Sequence, residues 1–168
     1  MKIQRMDDLF LEQIEDLYDA EQRLVKALPK MADASTSPEL RSAFTEHLQQ
    51  TRHHVERLER IFTALGKKAK GETCDAMKGL ISEGEDIVSD IEQSALRDAG
   101  LIAAANRVEH YEIAAYGSAK TFAQVLGHQD AVRELEATLE EEKRADETLT
   151  RIAESRVNEQ ALRMGAAS

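Results

Sequence analysis

A single cysteine, Cys74, stands in this chain of 168 residues. That excludes an intrachain disulfide, a cysteine-rich zinc site and an iron–sulfur centre held by this chain alone. Prolines number two and aromatic residues make up only 4%. The remainder, rich in Ala, Leu, Glu, Lys and Arg, is the composition of a helical protein. No apolar run approaches the roughly 18 residues that span a bilayer, so no membrane partner is expected. Positive charge is scarce as well: 22 Lys and Arg against 32 Asp and Glu, a formal net charge of -10. Nucleic-acid binding is disfavoured, because a binder needs a basic face to displace counterions. The start, "MKIQRMDDLF", carries acids where a secretory signal needs an apolar stretch, and a cytoplasmic location is expected.

What is present is helical periodicity. The length suits one domain, 1–168, with room for a core. Four long helical patterns are predicted, at about 5–34, 38–66, 97–126 and 129–158. The second opens at "TSPEL", where Ser37 can cap and Pro38 suits the first helical position. After the basic linker "GKKAKGET", short helices are predicted within about 73–94, with Thr73 as the first cap and "VSDIEQSALRDAG" as a further short stretch. Gly127 stops the fourth pattern, and the tail "RMGAAS" is expected to fray. Two antiparallel pairs joined by one long crossover is the arrangement of an all-α, ferritin-like four-helix bundle.

Helical residues advance about 100° each, so the inward side of each helix can be assigned. On the first, Phe10, Ile14, Leu17, Leu24, Val25 and Leu28 share a side with Glu21, while Glu12, Glu15, Asp19, Arg23 and Lys26 form a solvated one. On the second, Phe44, Leu48, Val55, Leu58 and Phe62 face in with His47, Thr51 and His54, and Gln50 stands at the edge. On the fourth, Glu109 and Glu112 lie among Ile102, Ala105, Ile113, Tyr116 and Ala123, with His110 on the polar side. On the last, Glu142 and Asp146 lie among Leu135, Leu139, Leu149 and Ala153.

Five inward acids with no evident inward Lys or Arg require another counter-charge. A cation held by hard oxygen ligands and imidazole supplies one, and a pair of iron or manganese ions is the usual occupant of such a bundle. The alternatives are a stripe edge where Glu109 and Glu112 reach water, and a solvated face for the charge-dense "LEEEKRADE". His47 is read as a structural core histidine and His54 as either structural or a ligand. Tyr111 and Tyr116, with Met6, Met31 and Met77, are read as packing residues. Cys74 is either a thiol activated at a helix start or a buried cap.

"LYDAEQRLVKALPKMA", "HLQQTRHHVERLERIF", "CDAMKGLISEGEDIV", "DAGLIAAANRVEHYEIAAYG" and "TLEEEKRADETLTRIA" resemble the YciF-like family of bacterial ferritin-like proteins, over about residues 5–158. The resemblance implies a ferritin-like bundle, a homodimer and an association with stress responses. A more distant likeness to rubrerythrins implies a metal site. Glu109-His110-Tyr111-Glu112 matches their Glu-x-Tyr-Glu pair, Glu21 the first-helix ligand, and Glu142 and Asp146 the last-helix pair with Asp in place of His. Gln49 and Gln50 depart from the His-Leu-Glu-Glu-Thr common in the family. The implied ligands are therefore Glu21, Gln50, His54, Glu109, Glu112, Glu142 and Asp146, holding two iron ions or one, with manganese as the alternative metal. Peroxide or dioxygen chemistry there would draw on an external electron donor. A metal-poor structural homodimer is the competing expectation.

Overall fold

The computed structural model describes residues 3–165, and no strand occurs among them. Helix α1 covers Met6–Ala34, α2 Pro38–Ala64, α3 Asp75–Asp90, α4 Ala95–Leu126 and α5 Gln129–Ile152. A wide π-helical turn, Ala153–Val157, leads into α6, Asn158–Gly165. Short links make α1 with α2, and α4 with α5, adjacent pairs; α2 then packs on α5 and α1 on α4, closing a four-helix ring. The all-α bundle expected from the sequence is therefore observed. The long crossover carries α3 along the outside, against α4 and α1.

Local chemistry sets the boundaries. The Ser37 hydroxyl accepts from Leu40 N at 3.3 Å, with Pro38 behind it in the first turn. Gly127 adopts φ 77° at the end of α4, a left-handed conformation that residues with a Cβ rarely take. The crossover differs from expectation in two ways. Cys74, not Thr73, caps α3, its Sγ accepting from Met77 N at 3.4 Å. "VSDIEQSALRDAG" is not one helix: its start ends α3 and its end begins α4. Ser94 makes the break, since its hydroxyl caps Arg97 N at 3.3 Å, and Arg97 Nε donates to the Ile91 carbonyl at 2.6 Å.

The last helical pattern runs beyond 158 to Gly165, so Arg163–Gly165 are helical rather than frayed; residues 166–168 lie outside the described residues. The π turn inserts a residue and keeps Val157 buried. Met77 is core and Met31 partly so, but Met6 is exposed. Asp19, expected on the solvated side, accepts from Cys74 N at 2.8 Å and Arg23 Nε at 2.6 Å, fastening the crossover to α1.

The α1–α2 link rests on Asp98 of α4. This buried carboxylate accepts from Thr36 N at 2.8 Å and Ser37 N at 2.7 Å. Asp98→Ala leaves both donors without a partner, and hydrogen bonds to charged groups contribute roughly 1.5–3 kcal/mol each. A loss of about 3 kcal/mol in urea-unfolding stability is expected; an unchanged midpoint and slope would show that water replaces the carboxylate.

The apolar interior is split. One half gathers around Leu24, Leu28, Phe44, Met77, Leu101 and Leu149, the other around Phe10, Leu17, Leu58, Phe62, Tyr116 and Leu135. The inward polar residues of α1, α2, α4 and α5 come from the stretches between these halves.

Candidate metal centre

Glu21 comes from α1, between the apolar turns of Leu17 and Leu24. His47 and His54 come from α2, seven residues apart and so on one face. Glu109 and Glu112, three apart, share a face of α4, and Glu142 comes from α5. All six side chains are buried. They form two groups: His47, Glu109, Glu112 and Glu142 in one, and Glu21, His54 and Glu142 in the other. Within each group the donor atoms lie within 4.8 Å of one another, and Glu142 belongs to both.

The electrostatics are strained. Burial pushes Glu109 up from its ordinary 4.5 to about 7. Burial, then the nearby Glu109 charge, pushes Glu142 up to about 8. Burial and the surrounding carboxylates of Glu142, Glu21 and Glu109 hold Glu112 well above the usual range. Burial disfavours the His54 imidazolium, but Glu21, Glu141 and Glu142 outweigh it and push His54 up to about 12.

His54 Nδ1 approaches Glu142 Oε1 to 2.9 Å and Glu21 Oε1 to 3.2 Å. His47 Nε2 lies 3.2 Å from Glu109 and 3.4 Å from Glu142. These are ion-pair distances without hydrogen-bond alignment. Eight buried atoms on the six residues have no hydrogen-bond partner: Glu21 Oε2, His47 Nε2, His54 Nδ1, Glu109 Oε2, and both oxygens of Glu112 and Glu142. Buried polar atoms are almost always paired, so a cluster of eight orphans requires an explanation. Carboxylate oxygens and imidazole nitrogens are the donors that iron and manganese accept, and the residues present fit such ions.

A second tier of residues orients this set. The Tyr116 hydroxyl donates to Glu21 Oε1, so Tyr116 does more than pack. His54 Nε2 pairs with Glu141 Oε2 at 2.7 Å, which directs Nδ1 into the cluster. Arg57 holds Glu141 through two contacts, at 2.7 and 2.9 Å. Burial works against the Glu141 charge, but Arg57 and His54 together lower it to about 2. His47 Nδ1 donates to Gln50 Oε1 at 3.1 Å. This fixes the tautomer and leaves Nε2 free, the arrangement that metal-binding histidines favour.

Sequence reasoning placed Glu21, His54, Glu109, Glu112 and Glu142 inward, and the structure brings them together. Two expected ligands sit elsewhere. Gln50 is half-buried and spends its carbonyl on His47. Asp146 stands outside the cluster, its carboxylate taken by Asn106 Nδ2 at 2.6 Å and His110 Nε2 at 3.2 Å. His47, read as structural, joins the cluster; its seven-residue spacing from His54 was the available signal. Glu141 was not singled out, and helical periodicity carries no signal for it. Cys74 is buried against the Tyr111 hydroxyl at 3.0 Å, and burial pushes its thiol up, so the buried-cap alternative holds.

Residues 5–162 match the family described as a domain of unknown function, DUF892. The chain belongs to that family. It is 41% identical over 162 residues to Protein YciF of Escherichia coli (strain K12), covering 96% of this chain and 98% of that protein. The crystal structure of the E. coli stress protein YciF superposes with a TM-score of 0.89, at 41% identity, over 93% of this chain and 99% of that one. YcfI from Rhodopseudomonas palustris, whose name calls it a candidate structural protein, gives a TM-score of 0.87 at 44% identity, over 89% and 95%. A Xanthomonas campestris pv. campestris protein shares the fold alone, with a TM-score of 0.75 at 18% identity. The resemblance to YciF-like proteins is thus shown. No helix among the described residues is long and apolar enough to cross a membrane.

Proposed function

We propose that this protein binds two iron or manganese ions in the bundle core and serves as a stress-associated, non-haem di-metal protein. The eight orphaned donor atoms carry the reading: four buried carboxylates and two imidazoles converge in two groups that share Glu142, with their unpaired atoms turned toward one another. One position draws on His47, Glu109, Glu112 and Glu142, the other on Glu21, His54 and Glu142. When bound, such ions supply redox chemistry toward peroxide or dioxygen, with electrons from an external donor. The chain's own residues hold the ligands in place. Glu141 and Arg57 fix the His54 ring, Gln50 fixes His47, and Tyr116 fixes Glu21. The apolar halves on either side keep bulk water from the carboxylates. A homodimer, as the family resemblance implies, belongs to the same reading.

The competing reading, a structural homodimer without metal chemistry, is favoured by the name given to the R. palustris relative. Metal content per chain separates the two. Untagged protein purified anaerobically is expected to carry roughly two ions per chain by elemental mass spectrometry. If none binds after reconstitution with iron(II) or manganese(II), the structural reading stands instead.

A further inference from the structure

The two groups of donors are not equally enclosed. Glu21, His54, Glu112 and Glu142 are 0% exposed. The only residual exposure in the cluster is at His47, 6%, and Glu109, 2%. Both of these residues line a cleft of about 240 Å³ between α2 and α5. Its walls include Ala43 and Phe44 from α2 and Ala145 and Thr148 from α5. The group containing Glu21 and His54 has no such opening: the Tyr116 hydroxyl covers Glu21, and Glu141 with Arg57 covers the far side of His54.

Resting on the two-ion reading above, we infer that the α2–α5 cleft admits a small exogenous ligand to one metal position only, the one formed by His47, Glu109, Glu112 and Glu142. Access to the donors, not volume, sets the ligand class. The cleft has room for about eight water-sized molecules at roughly 30 Å³ each, so volume alone would admit a small organic one. Its floor exposes only slivers of two ligand side chains, so an organic substrate cannot reach the donors, whereas hydrogen peroxide or a two- or three-atom anion can. Polarity agrees with this. Gln50 and Thr148 offer hydrogen bonds along the wall, and Arg144 and Glu46 contribute one charge of each sign there. The two positions therefore differ in role: one exchanges ligands with solvent, and the other is sealed and holds its ion.

Azide is the probe. Cobalt(II)-loaded protein is titrated anaerobically with azide, and ligation is followed by visible absorption, with cobalt content measured in parallel. One azide per chain is expected to bind. Ala145→Phe and Thr148→Phe place a ring in the cleft without touching a proposed ligand. Each should weaken azide binding by about tenfold or more while cobalt content stays at the wild-type level. Two azides per chain would overturn the inference by showing both positions open. Unchanged azide affinity in both variants would place the entry elsewhere. Loss of cobalt from both variants would also overturn it, since the walls would then be part of the metal-holding frame. Wild-type protein that takes up no cobalt would instead remove the two-ion reading itself.

Discussion

Glu142→Gln is expected to purify without metal, whereas Glu21→Gln and Glu112→Gln each keep about one ion per chain. The difference follows from membership: Glu142 belongs to both donor groups, while Glu21 and Glu112 belong to one each. An amide is neutral and a poor bridge, so replacing the shared carboxylate weakens both positions together. Stability should move the opposite way. Glu142 is 0% exposed, and burial plus the Glu109 charge oppose its ionisation. Above pH 8 the metal-free wild type keeps that carboxylate charged in the core without a full complement of partners. The amide has nearly the same shape and no charge. His54 keeps Glu21 and Glu141 as partners when Glu142 becomes an amide, so the substitution removes a surplus buried negative charge rather than the last partner of a buried cation. Chelator-treated Glu142→Gln should therefore resist urea better than chelator-treated wild type, while metal-loaded wild type exceeds both. Full metal content in Glu142→Gln would show that the two positions do not depend on a shared carboxylate.

The fold was legible because its signals are redundant. Apolar stripes, Ser37–Pro38 and Gly127 all mark the same bundle helices, and short links force the antiparallel pairs. Legibility failed where one side chain decides. The Ser94 hydroxyl, by capping Arg97, splits a stretch whose propensity is helical throughout. At the site, Glu21 stood out because Leu17 and Leu24 bracket it. Glu109 and Glu112 stood out because their spacing stacks them on one face.

Asp146 misled for the same reason in reverse. It lies one turn beyond Glu142 and so shares its face, but Asn106 and His110 on α4 capture its carboxylate at the rim. Periodicity reports which way a side chain leaves its helix and nothing about what waits across the interface. His47 and Gln50 show the same limit. Both were placed correctly on α2, but only the hydrogen bond between them shows that the amide supports the imidazole and that the imidazole faces the carboxylates. Glu141, next to Glu142 in sequence, could be recognised only once Arg57 and His54 were seen to meet it.

The metal-free protein should lose stability as pH rises from about 5 to about 8. Glu109 moves from 4.5 to about 7 on folding, Glu142 from 4.5 to about 8, and Glu112 also rises, all chiefly through burial. Between the unfolded and folded values the native chain keeps protons that the unfolded chain has released. The unfolded state then binds fewer protons than the native one, so stability falls with rising pH. His54 acts with the same sign: raised from 6.5 to about 12, its contribution is complete below 6.5 and erodes above it. Glu141, lowered to about 2, contributes fully above 4.5 and is lost only in stronger acid, so it leaves this window flat. One retained proton changes stability by about 1.4 kcal/mol per pH unit, hence on the order of 4 kcal/mol across the window even for a single proton shared among the coupled groups. Bound metal should reverse the trend, because it needs the deprotonated carboxylates and neutral imidazoles that rising pH supplies. Urea midpoints at four pH values, with chelator and with excess manganese(II), would separate the two curves. They should diverge most at the alkaline end, where the empty cluster is least tolerable and the metal binds best. Chelated protein that gains stability toward pH 8 would mean the buried carboxylates already have counter-charges from the protein, which would remove the physical need for a cation.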